Sequence, residues 1–342
     1  MTRPPLPCLQ EPLENQARLC RQCRTSEDPF RRCSQISAES DAFRRLLDRA
    51  ALVAPSDISV LILGESGTGN EVLARGLHAN SRRAKAPFLA VNLAALPSEL
   101  LESELFGHRR GAFTGADQHK AGMFEAAEGG TLLLDEVGEM PINLQAKLLR
   151  ALQDGEIRRV GDVESRRVDV RIICATHQDL DALVNSGRFR SDLYFRLRGI
   201  ALRVPPLRER KADIMPLAHR FLSRENHPTG AFTPAAERLV RAYAWPGNVR
   251  ELINAVRHGA VLSAGKDVAP EHLPEELGHA PGSRPPRPSD PPRPLAEVEK
   301  AHILSVMDHV DGEVREAARI LGLSRTTLWR KLSSYGHPKR NR

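Results

Sequence analysis

Short apolar segments with the character of buried strands alternate with amphipathic helical patterns along the first part of the chain. Four such segments occur there, ISVLILG (58–64), PFLAVNLAAL (87–96), GTLLLDE (130–136) and VDVRIICAT (168–176). Continuous apolar runs separated by amphipathic helices are typical of strands that are covered on both faces. The pattern therefore predicts an α/β domain built on a parallel sheet.

The pattern changes after the Pro205–Pro206 pair, where the apolar strand segments stop. Helical patterns cover residues 212–223 and 234–263 and predict a smaller all-helical domain. Residues 280–294 contain seven prolines in fifteen positions, and such a run acts as a semi-rigid extended linker. Helical patterns return over residues 295–335, which is enough chain for a small all-α module.

Formal charge is distributed unevenly along the chain. Lys and Arg number 50 against 43 Asp and Glu, which gives a net charge of +7. Residues 317–342 contain seven cations and no carboxylate, so the rest of the chain is balanced at 43 against 43. A basic terminus attached to a neutral body is the electrostatic footprint of nucleic-acid binding.

Composition excludes several classes of protein. A chain of 342 residues with 41% hydrophobic and 27% charged residues is typical of a globular protein with two or three domains. Aromatic residues make up 4%, which argues against a surface that binds single strands by base stacking. Apolar runs fall far short of the roughly 18 residues of a membrane helix, and the N-terminus lacks the apolar core of a secretory signal. We therefore expect a cytoplasmic protein without a membrane partner.

The cysteines allow two interpretations. Cys8, Cys20, Cys23 and Cys33 lie in the first 33 residues, whereas Cys174 lies in an apolar run. Only one close C-x2-C pair is present, while zinc sites usually combine two such pairs. A metal or redox site and a tail with free thiols both remain open.

A glycine-rich segment, GESGTGNE (64–71), directly follows the first strand segment and precedes a helical pattern. Glycines let the backbone wrap a phosphate while N–H groups and the helix dipole face the anion. The phosphate-binding pattern G-x-x-x-x-G-K-[ST] is broken at two points, because Asn70 replaces the lysine and Glu71 the hydroxyl residue. Asp135 and Glu136 end another apolar strand, as expected where one carboxylate binds Mg²⁺ and the next polarises a water. Together these features predict nucleotide binding.

Five segments follow one another along the chain: GESGTG-x-E, ESELFGHRRGAFTGA, AEGGTLLLDEVGEM, FRSDLYFRL and WPGNVREL. In this order they resemble the bacterial enhancer-binding proteins, the AAA+ activators of sigma-54 RNA polymerase. The resemblance covers about residues 36–278. It implies a P-loop AAA+ parallel sheet with a helical lid, binding of ATP and Mg²⁺, and a homo-oligomeric ring, usually a hexamer.

The segment GAFTGA is nearly diagnostic of this family. An exposed Phe113 framed by Gly111 and Gly115 suits a loop tip that docks on a partner, because apolar surface otherwise prefers burial. The alternative is a glycine turn with a buried Phe. The resemblance implies a contact with sigma-54, with Phe113 and Thr114 as the main positions, through Gly111, Ala112, Phe113, Thr114, Gly115 and Ala116.

The resemblance also implies catalytic roles. Asn92 resembles the switch residue that couples the catalytic glutamate to the loop, and Arg190 and Arg196 match the arginine fingers that reach a neighbouring subunit's γ-phosphate. His177 stands where the family commonly has a sensor asparagine. The implied catalytic residues are Asp135, Glu136, Asn92, Arg190 and Arg196.

The implied nucleotide site combines the glycine-rich segment with the lid. Arg250, in WPGNVREL, matches the lid arginine that senses nucleotide. Asp135 is expected to hold Mg²⁺ through the nucleotide. The implied nucleotide-binding residues are Gly64, Glu65, Ser66, Gly67, Thr68, Gly69, Asn70, Glu71, Asp135, Glu136 and Arg250.

Residues 312–336 have the pattern of a helix, a turn and a second helix. The turn is predicted at Gly322 and Leu323, and the residues predicted to pack inward are Ala317, Ala318, Ile320, Leu321, Leu328 and Leu332. The segment resembles the Fis-type domain of the same family, whose second helix enters the major groove of duplex DNA. The expected DNA contacts are Ser324, which also caps the helix, and Arg325, Thr326, Thr327, Arg330 and Lys331.

The predicted organisation is a cysteine-containing tail (1–35), an AAA+ α/β subdomain (36–205), a helical lid (206–278), a proline-rich linker (279–294) and a Fis-type helix-turn-helix domain (295–342). The leading hypothesis is a DNA-bound regulator that uses ATP to remodel sigma-54 polymerase. Its rival is a regulator of the same fold that binds but barely hydrolyses ATP, as a hetero-oligomer subunit or a repressor. GAFTGA and the terminal helix-turn-helix together disfavour an AAA+ chaperone or helicase loader.

Overall fold

The computed structural model describes residues 38–113, 115–225, 227, 230–278, 294–310 and 313–335. The chain divides into two compact units, Met1–Gly282 and Ser283–Arg342. The four N-terminal cysteines and nearly all of the proline-rich segment lie outside the described residues. Within the described ranges, no helix is long and apolar enough to cross a membrane.

The first unit alternates strands and helices. Its strands are β1 (Val60–Leu63), β2 (Phe88–Asn92), β3 (Gly107–His108), β4 (Lys120–Ala121), β5 (Thr131–Asp135), β6 (Glu156–Ile157), β7 (Arg166–Arg167), β8 (Arg171–Thr176) and β9 (Ile200–Arg203). Its α-helices are α1 (Asp41–Val53), α2 (Asn70–Ala79), α3 (Ser98–Phe106), α4 (Met123–Ala126), α5 (Ile142–Asp154), α6 (Leu180–Asn185), α7 (Ser191–Leu197), α8 (Ile214–Arg224), α9 (Pro234–Ala242) and α10 (Asn248–Leu262). Short 3-10 turns cover Val137–Glu139, Leu207–Glu209, Lys211–Asp213, Pro270–His272 and Glu275–Gly278.

The central sheet has five parallel strands in the order β2-β5-β8-β1-β9. All four strand segments predicted from the sequence form strands of this sheet. The edge strand β9 was not predicted, because it is short and only Leu202 among its residues is buried. The order places β8 between β1 and β5, so the residues that follow β8 lie between the glycine-rich loop and the carboxylates at the end of β5.

Both faces of the sheet are covered, as the continuous apolar runs predict. Leu132 and Leu134 pack into one core cluster, and Leu133 packs into the cluster on the opposite face. Arg171 is 1% exposed, and its guanidinium donates to Ala54 O at 2.7 Å near the end of α1. Carbonyls at a helix C-terminus lack intrahelical partners, so this buried cation satisfies one and complements the helix dipole.

The lid consists of α8, α9 and α10 packed around Trp245, which is fully buried and donates its indole N–H to Val240 O at 2.9 Å. The sequence predicted helix throughout residues 234–263, and this prediction is wrong in the middle. Trp245, between α9 and α10, has φ of 51°, and Asn248, the first residue of α10, has φ of 52°, so the chain leaves the right-handed helical region there.

The second unit contains α11 (Leu295–His309), α12 (Val314–Ile320) and α13 (Arg325–Ser334). Leu328 and Leu332 are buried against Ala317 and Ala318, as predicted. The predicted packing of Ile320 is wrong, because its side chain is 48% exposed. The two alanines form the face of α12 that packs closely against α13. At 3.6 residues per turn, Ile320 lies to the side of that face. The fold therefore combines an α/β unit, its lid and a small all-α unit.

Candidate functional site

The glycine-rich loop makes a sharp turn between β1 and α2. Gly67 and Gly69 have φ of 80° and 104°, which favour glycine. A Cβ on Gly67 would lie 2.5 Å from Gly247 O, so glycine also allows the lid to approach the loop closely. Beyond the loop, the backbone N–H groups that begin α2 favour an anion.

Asn70 turns its side chain back onto the loop. Its Nδ2 donates to Gly64 O at 3.3 Å, and its Oδ1 accepts from Thr68 Oγ1 at 3.1 Å. Glu71 forms an ion pair of 2.7 Å with Arg75, one turn further along α2. At the lysine position of the phosphate-binding pattern, the Asn70 amide is therefore hydrogen-bonded to the loop. At the hydroxyl position, the Glu71 carboxylate is paired with Arg75.

Asn248 connects the lid to the loop. It is fully buried, and its Oδ1 accepts from Leu207 N at 2.8 Å. Its Nδ2 donates to Glu65 Oε2 at 3.1 Å and to Ser66 O at 3.2 Å. Both ends of this amide are thus satisfied, which a buried polar group requires.

Three further hydrogen bonds run from the lid side to the loop. Arg250 donates to Ser66 Oγ at 2.9 Å, and Val249 N donates to Gly67 O at 2.9 Å. Arg210 donates to Thr68 O at 2.7 Å. The loop backbone is consequently held from the lid at several consecutive residues.

Two arginines beside β9 differ in their surroundings. Arg208 pairs with Glu65 at 2.6 Å, and this hydrogen bond holds the pKa of Glu65 below its usual value, with Asn248 adding to the effect. Arg210 is almost completely buried, and burial lowers its pKa to about 10. Its guanidinium lies 4.4 Å from the centre of the Phe43 ring, which stabilises the buried cation.

The carboxylates at the end of β5 have distinct environments. Burial raises the pKa of Asp135, the charge of Glu136 raises it further, and Arg250 opposes the shift. Glu136 has φ of 58°, a conformation that strains a residue with a side chain. His177 follows β8, and its Nδ1 lies 2.7 Å from Glu136 Oε2. The catalytic candidate is therefore held by the residue at the sensor position.

The remaining catalytic candidates bond to other atoms of the chain. Asn92 lies beside Asp135 in the sheet register, and its Oδ1 accepts from Ala94 N at 2.9 Å. Arg190 pairs with Asp192 at 2.7 Å. Arg196 donates to Leu152 O at 2.8 Å. The structure thus brings Asn92 to the edge that carries Asp135, while both finger arginines lie at α7 with partners within the chain.

The GAFTGA segment forms a closed turn. Gly111 N donates to Ala116 O at 2.8 Å, and Ala116 N donates to Phe113 O at 3.0 Å. Phe113 is 41% exposed and meets the His108 ring edge-to-face at 5.0 Å. A Cβ added to Gly115 would have no atom within 4 Å, so steric space does not require glycine here. Its φ of 97° does favour glycine. Ala112 is half-buried, and Thr114 lies outside the described residues.

In the second unit, Ser324 caps α13 by accepting from Thr327 N at 3.1 Å, as predicted. Arg325, Thr326 and Arg330 are exposed. Lys331 is half-buried and pairs with Glu299 of α11 at 2.7 Å. The predicted contact residues therefore share one helix, but Lys331 already has an acidic partner.

Sequence reasoning missed Arg208, Arg210, Asn248 and Trp329. Asn248 lies within the WPGNVREL motif and the two arginines lie between motifs, yet nothing local to them indicates a contact with residues more than 140 positions away. Trp329 could have been found from helical spacing, since it lies four residues after Arg325.

Comparison with known proteins places the chain in a family. Residues 36–203 match the Sigma-54 interaction domain, residues 208–289 an AAA+ ATPase lid domain, and residues 294–335 the Fis family of bacterial regulatory proteins. The transcriptional regulatory protein ZraR of Klebsiella oxytoca is 50% identical over 296 residues, which is 85% of this chain and 67% of that protein. The chain belongs to the sigma-54-dependent transcriptional regulators.

Other relatives of this regulator agree. The DNA-binding transcriptional regulator NtrC of Salmonella typhimurium is 46% identical over 310 residues, covering 82% of this chain and 66% of that protein. The crystal structure of NtrX from Brucella abortus in complex with ADP has a TM-score of 0.67 at 36% identity, over 88% of this chain and 70% of that one. The predicted fold class is confirmed, and the chain is a sigma-54-dependent regulator with a Fis-type DNA-binding domain.

Proposed function

We propose that this regulator binds ATP with Mg²⁺ between its glycine-rich loop and its lid, assembles into a ring, and remodels sigma-54 RNA polymerase from an enhancer-like DNA site. The observation that carries the proposal is the set of lid hydrogen bonds to the loop, from Asn248, Arg250 and Arg210. A nucleotide that replaces any of them changes the position of the lid relative to the sheet. Nucleotide state is thereby coupled to the shape of the subunit.

The residues present fit a nucleotide, although the loop lysine is absent. The loop backbone and the start of α2 would face the phosphates. Arg250, which bonds Ser66 within this loop, would supply positive charge. Asp135 would hold Mg²⁺, and its raised pKa reflects burial and neighbouring negative charge, which a divalent cation relieves. Bound ATP and Mg²⁺ supply the transferable phosphoryl group and its charge neutralisation.

Glu136 is the proposed residue that orients the attacking water. His177, which follows β8, contacts the Glu136 carboxylate at 2.7 Å. The imidazole is therefore positioned to control the orientation of the Glu136 side chain. Asn92 stays the proposed switch toward the polymerase-binding loop. Its present bond to Ala94 N would have to break for it to reach Glu136.

A ring is the proposed assembly because the finger arginines act on a neighbouring subunit. Arg190 and Arg196 flank Phe195, whose side chain is 72% exposed on α7. An exposed phenylalanine between two arginines is better explained by a subunit contact than by a free surface. Ring formation would exchange the bonds of Arg190 to Asp192 and of Arg196 to Leu152 for bonds across the interface.

The proposed sigma-54 contact is Phe113 at the tip of the closed GAFTGA turn. It meets the His108 ring and is 41% exposed, which leaves part of its surface for a partner. The proposed DNA contact is α13, on which Arg325 and Arg330 are exposed. Contacts from such a helix to phosphates position the protein on the duplex, and contacts to base edges determine the sequence that it recognises.

A second candidate function is favoured by Asn70. A regulator whose loop amide bonds to Gly64 and Thr68 lacks the cation that stabilises charge on the transferred phosphoryl group. Such a chain would bind ATP but barely hydrolyse it, and would act as a hetero-oligomer subunit or a repressor.

The test combines three measurements on the full chain: ATP binding, phosphate release, and retention of sigma-54 in the presence of a transition-state analogue of ATP. Turnover together with retention supports the activator. ATP binding without either result supports the second candidate. Absence of ATP binding contradicts both.

A further inference from the structure

We infer that Trp329 reads thymine in the major groove of duplex DNA by packing its indole against thymine methyl groups. The inference rests on the proposed DNA binding through α13 and adds the base that the helix recognises. It concerns a side chain that the family motifs do not single out.

Trp329 is placed differently from the other tryptophan of the chain. Trp245 is fully buried in the lid, whereas Trp329 is 54% exposed on α13. The inward positions of α13 are filled by Leu328 and Leu332. A large apolar side chain left in water gains free energy when a partner covers it, which favours an occupant for this face.

The position of Trp329 on the helix defines the face. It lies one turn after Arg325 and Thr326 and directly before Arg330, and all three are exposed. Residues three and four apart are neighbours on a helix surface. The indole therefore lies within the group of side chains proposed to contact DNA.

Charge identifies the occupant. Among the described residues, no carboxylate lies within ion-pair distance of Arg325 or Arg330, whereas Arg319 pairs with Glu316 and Lys331 pairs with Glu299. Two uncompensated guanidinium groups beside an exposed indole match a partner that combines regularly spaced negative charge with apolar groups. The duplex groove offers both, with phosphates at its walls and thymine methyl groups on its floor.

Thymine is the base whose chemistry fits an indole. Its C5 methyl is the apolar group that base pairs present in the major groove, while guanine, cytosine and adenine present polar atoms there. Arg325 and Arg330 are suited to guanine or phosphate. Trp329 supplies the apolar contact that the arginines lack.

The experiment uses the full chain and a duplex that the wild-type chain enriches from a randomised pool. Affinity for this duplex and for a scrambled duplex is measured at one salt concentration. Trp329→Ala should lower the ratio of the two affinities about tenfold, within the range for one lost base contact. Trp329→Phe should keep most of it, because the ring still packs on a methyl group. Ile320→Ala, which trims another exposed apolar side chain of the same unit, is the matched control and should leave the ratio unchanged.

A second arm removes the methyl groups instead of the indole. Deoxyuridine replaces thymidine in the enriched duplex, and wild-type affinity should fall while Trp329→Ala loses nothing further. Acrylamide quenching of tryptophan emission should decrease when the duplex binds, because Trp245 is already shielded and Trp329 becomes covered.

Three results overturn the inference. Equal weakening of both duplexes by Trp329→Ala makes the contact non-specific, and equal loss on deoxyuridine substitution in both proteins removes thymine as its target. Protection of Trp329 by polyglutamate as strong as by the duplex would indicate an acidic protein partner. If no duplex is enriched and none binds at low salt, the proposed DNA binding fails, and the inference fails with it.

Discussion

The proposed nucleotide site and the proposed DNA-binding face of α13 use arginine in opposite ways. At the glycine-rich loop, Arg208 and Arg250 bond to atoms of the loop itself. On α13, Arg325 and Arg330 have no acidic partner among the described residues. We therefore expect the loop arginines to exchange internal bonds for bonds to a ligand, and the α13 arginines to meet phosphates without such an exchange. If both proposals hold, we expect DNA binding to need no rearrangement of α13 and nucleotide binding to need one at the loop.

Internal partners make the difference and burial does not, because Arg208 and Arg250 are exposed, as Arg325 and Arg330 are. Arg210 is the buried arginine at the loop, and its bond to Thr68 O and its contact with the Phe43 ring offset part of the cost of burying a cation. An exposed arginine on α13 keeps its water until a phosphate replaces it.

Phe113→Ala should reduce activation of a sigma-54 promoter at least about 150-fold, the loss expected for an interface anchor of about 3 kcal/mol. DNA affinity should not change, because the loop and α13 belong to different units. Promoter output and duplex binding are measured on the same preparation. Leu52→Ala, at an 82% exposed position of α1, is the control. Normal output from Phe113→Ala would contradict a polymerase contact through this loop.

Acid should destabilise the first unit through His78. This side chain is buried between α2 and the sheet, contacts Thr131 at 2.9 Å, and burial lowers its pKa from 6.5 to about 4. The contribution of neutral His78 to stability is fully present above pH 6.5. Between pH 6.5 and 4, the histidine is protonated in the unfolded state but stays neutral in the folded state. The free energy of unfolding should therefore fall by up to about 3 kcal/mol over this range.

The measurement is denaturant unfolding followed by the emission of Trp245 in a Trp329→Phe background. His78→Gln should flatten the pH dependence, and His302→Gln, at an exposed site of the second unit, should not. A wild-type curve that is flat between pH 6.5 and 4.5 would show that His78 titrates normally.

Asn248→Gly should lower the free energy of unfolding of the first unit by about 2 kcal/mol, because it removes the acceptor of Leu207 N and the donor to Glu65 and Ser66 O, while Glu65 keeps its pair with Arg208. Glycine tolerates the φ of 52° at this position, so the loss reports the hydrogen bonds and not backbone strain. Asn254→Ala, at an exposed position of α10, should cost little. Equal losses in the two variants would mean that the lid is not held to the loop through Asn248.

The sequence predicted the sheet well because burial on both faces leaves a strong apolar pattern, as in β5 and β8. It predicted Leu328 and Leu332 correctly for the same reason. Ile320 was misplaced because apolar character alone does not report the angle at which two helices meet. The break between α9 and α10 was missed because it depends on positive φ at Asn248 and at Trp245, a bulky residue that seldom adopts it.

The site was predictable where residues form one motif and unpredictable where they meet across the chain. Asp135 and Glu136 are recognisable from their place at the end of a strand. The contact of His177 with Glu136 and the contacts of Arg210 and Asn248 with the loop depend on strand order and lid packing. Neither strand order nor lid packing can be predicted from the residues next to these positions in the sequence. The roles proposed for these residues stay predictions.

Asn70→Lys should raise ATP turnover at least about tenfold, which corresponds to roughly 1.4 kcal/mol of activation free energy. A lysine ammonium about 4 Å from a phosphate oxygen contributes on the order of 4 kcal/mol at an effective dielectric near 20, and a neutral amide recovers only part of this. The gain should be larger in turnover than in ATP affinity, because negative charge accumulates on the transferred phosphoryl group and the loop backbone already contacts the ground state. ATP turnover is measured as phosphate release at saturating ATP and Mg²⁺. The control is Asn80→Lys, which adds the same charge at the other end of α2. DNA affinity should be equal in all three proteins. Equal turnover in wild type and Asn70→Lys would mean that another cation already serves the phosphates, and Arg250, which bonds the loop at Ser66, would be the first to replace.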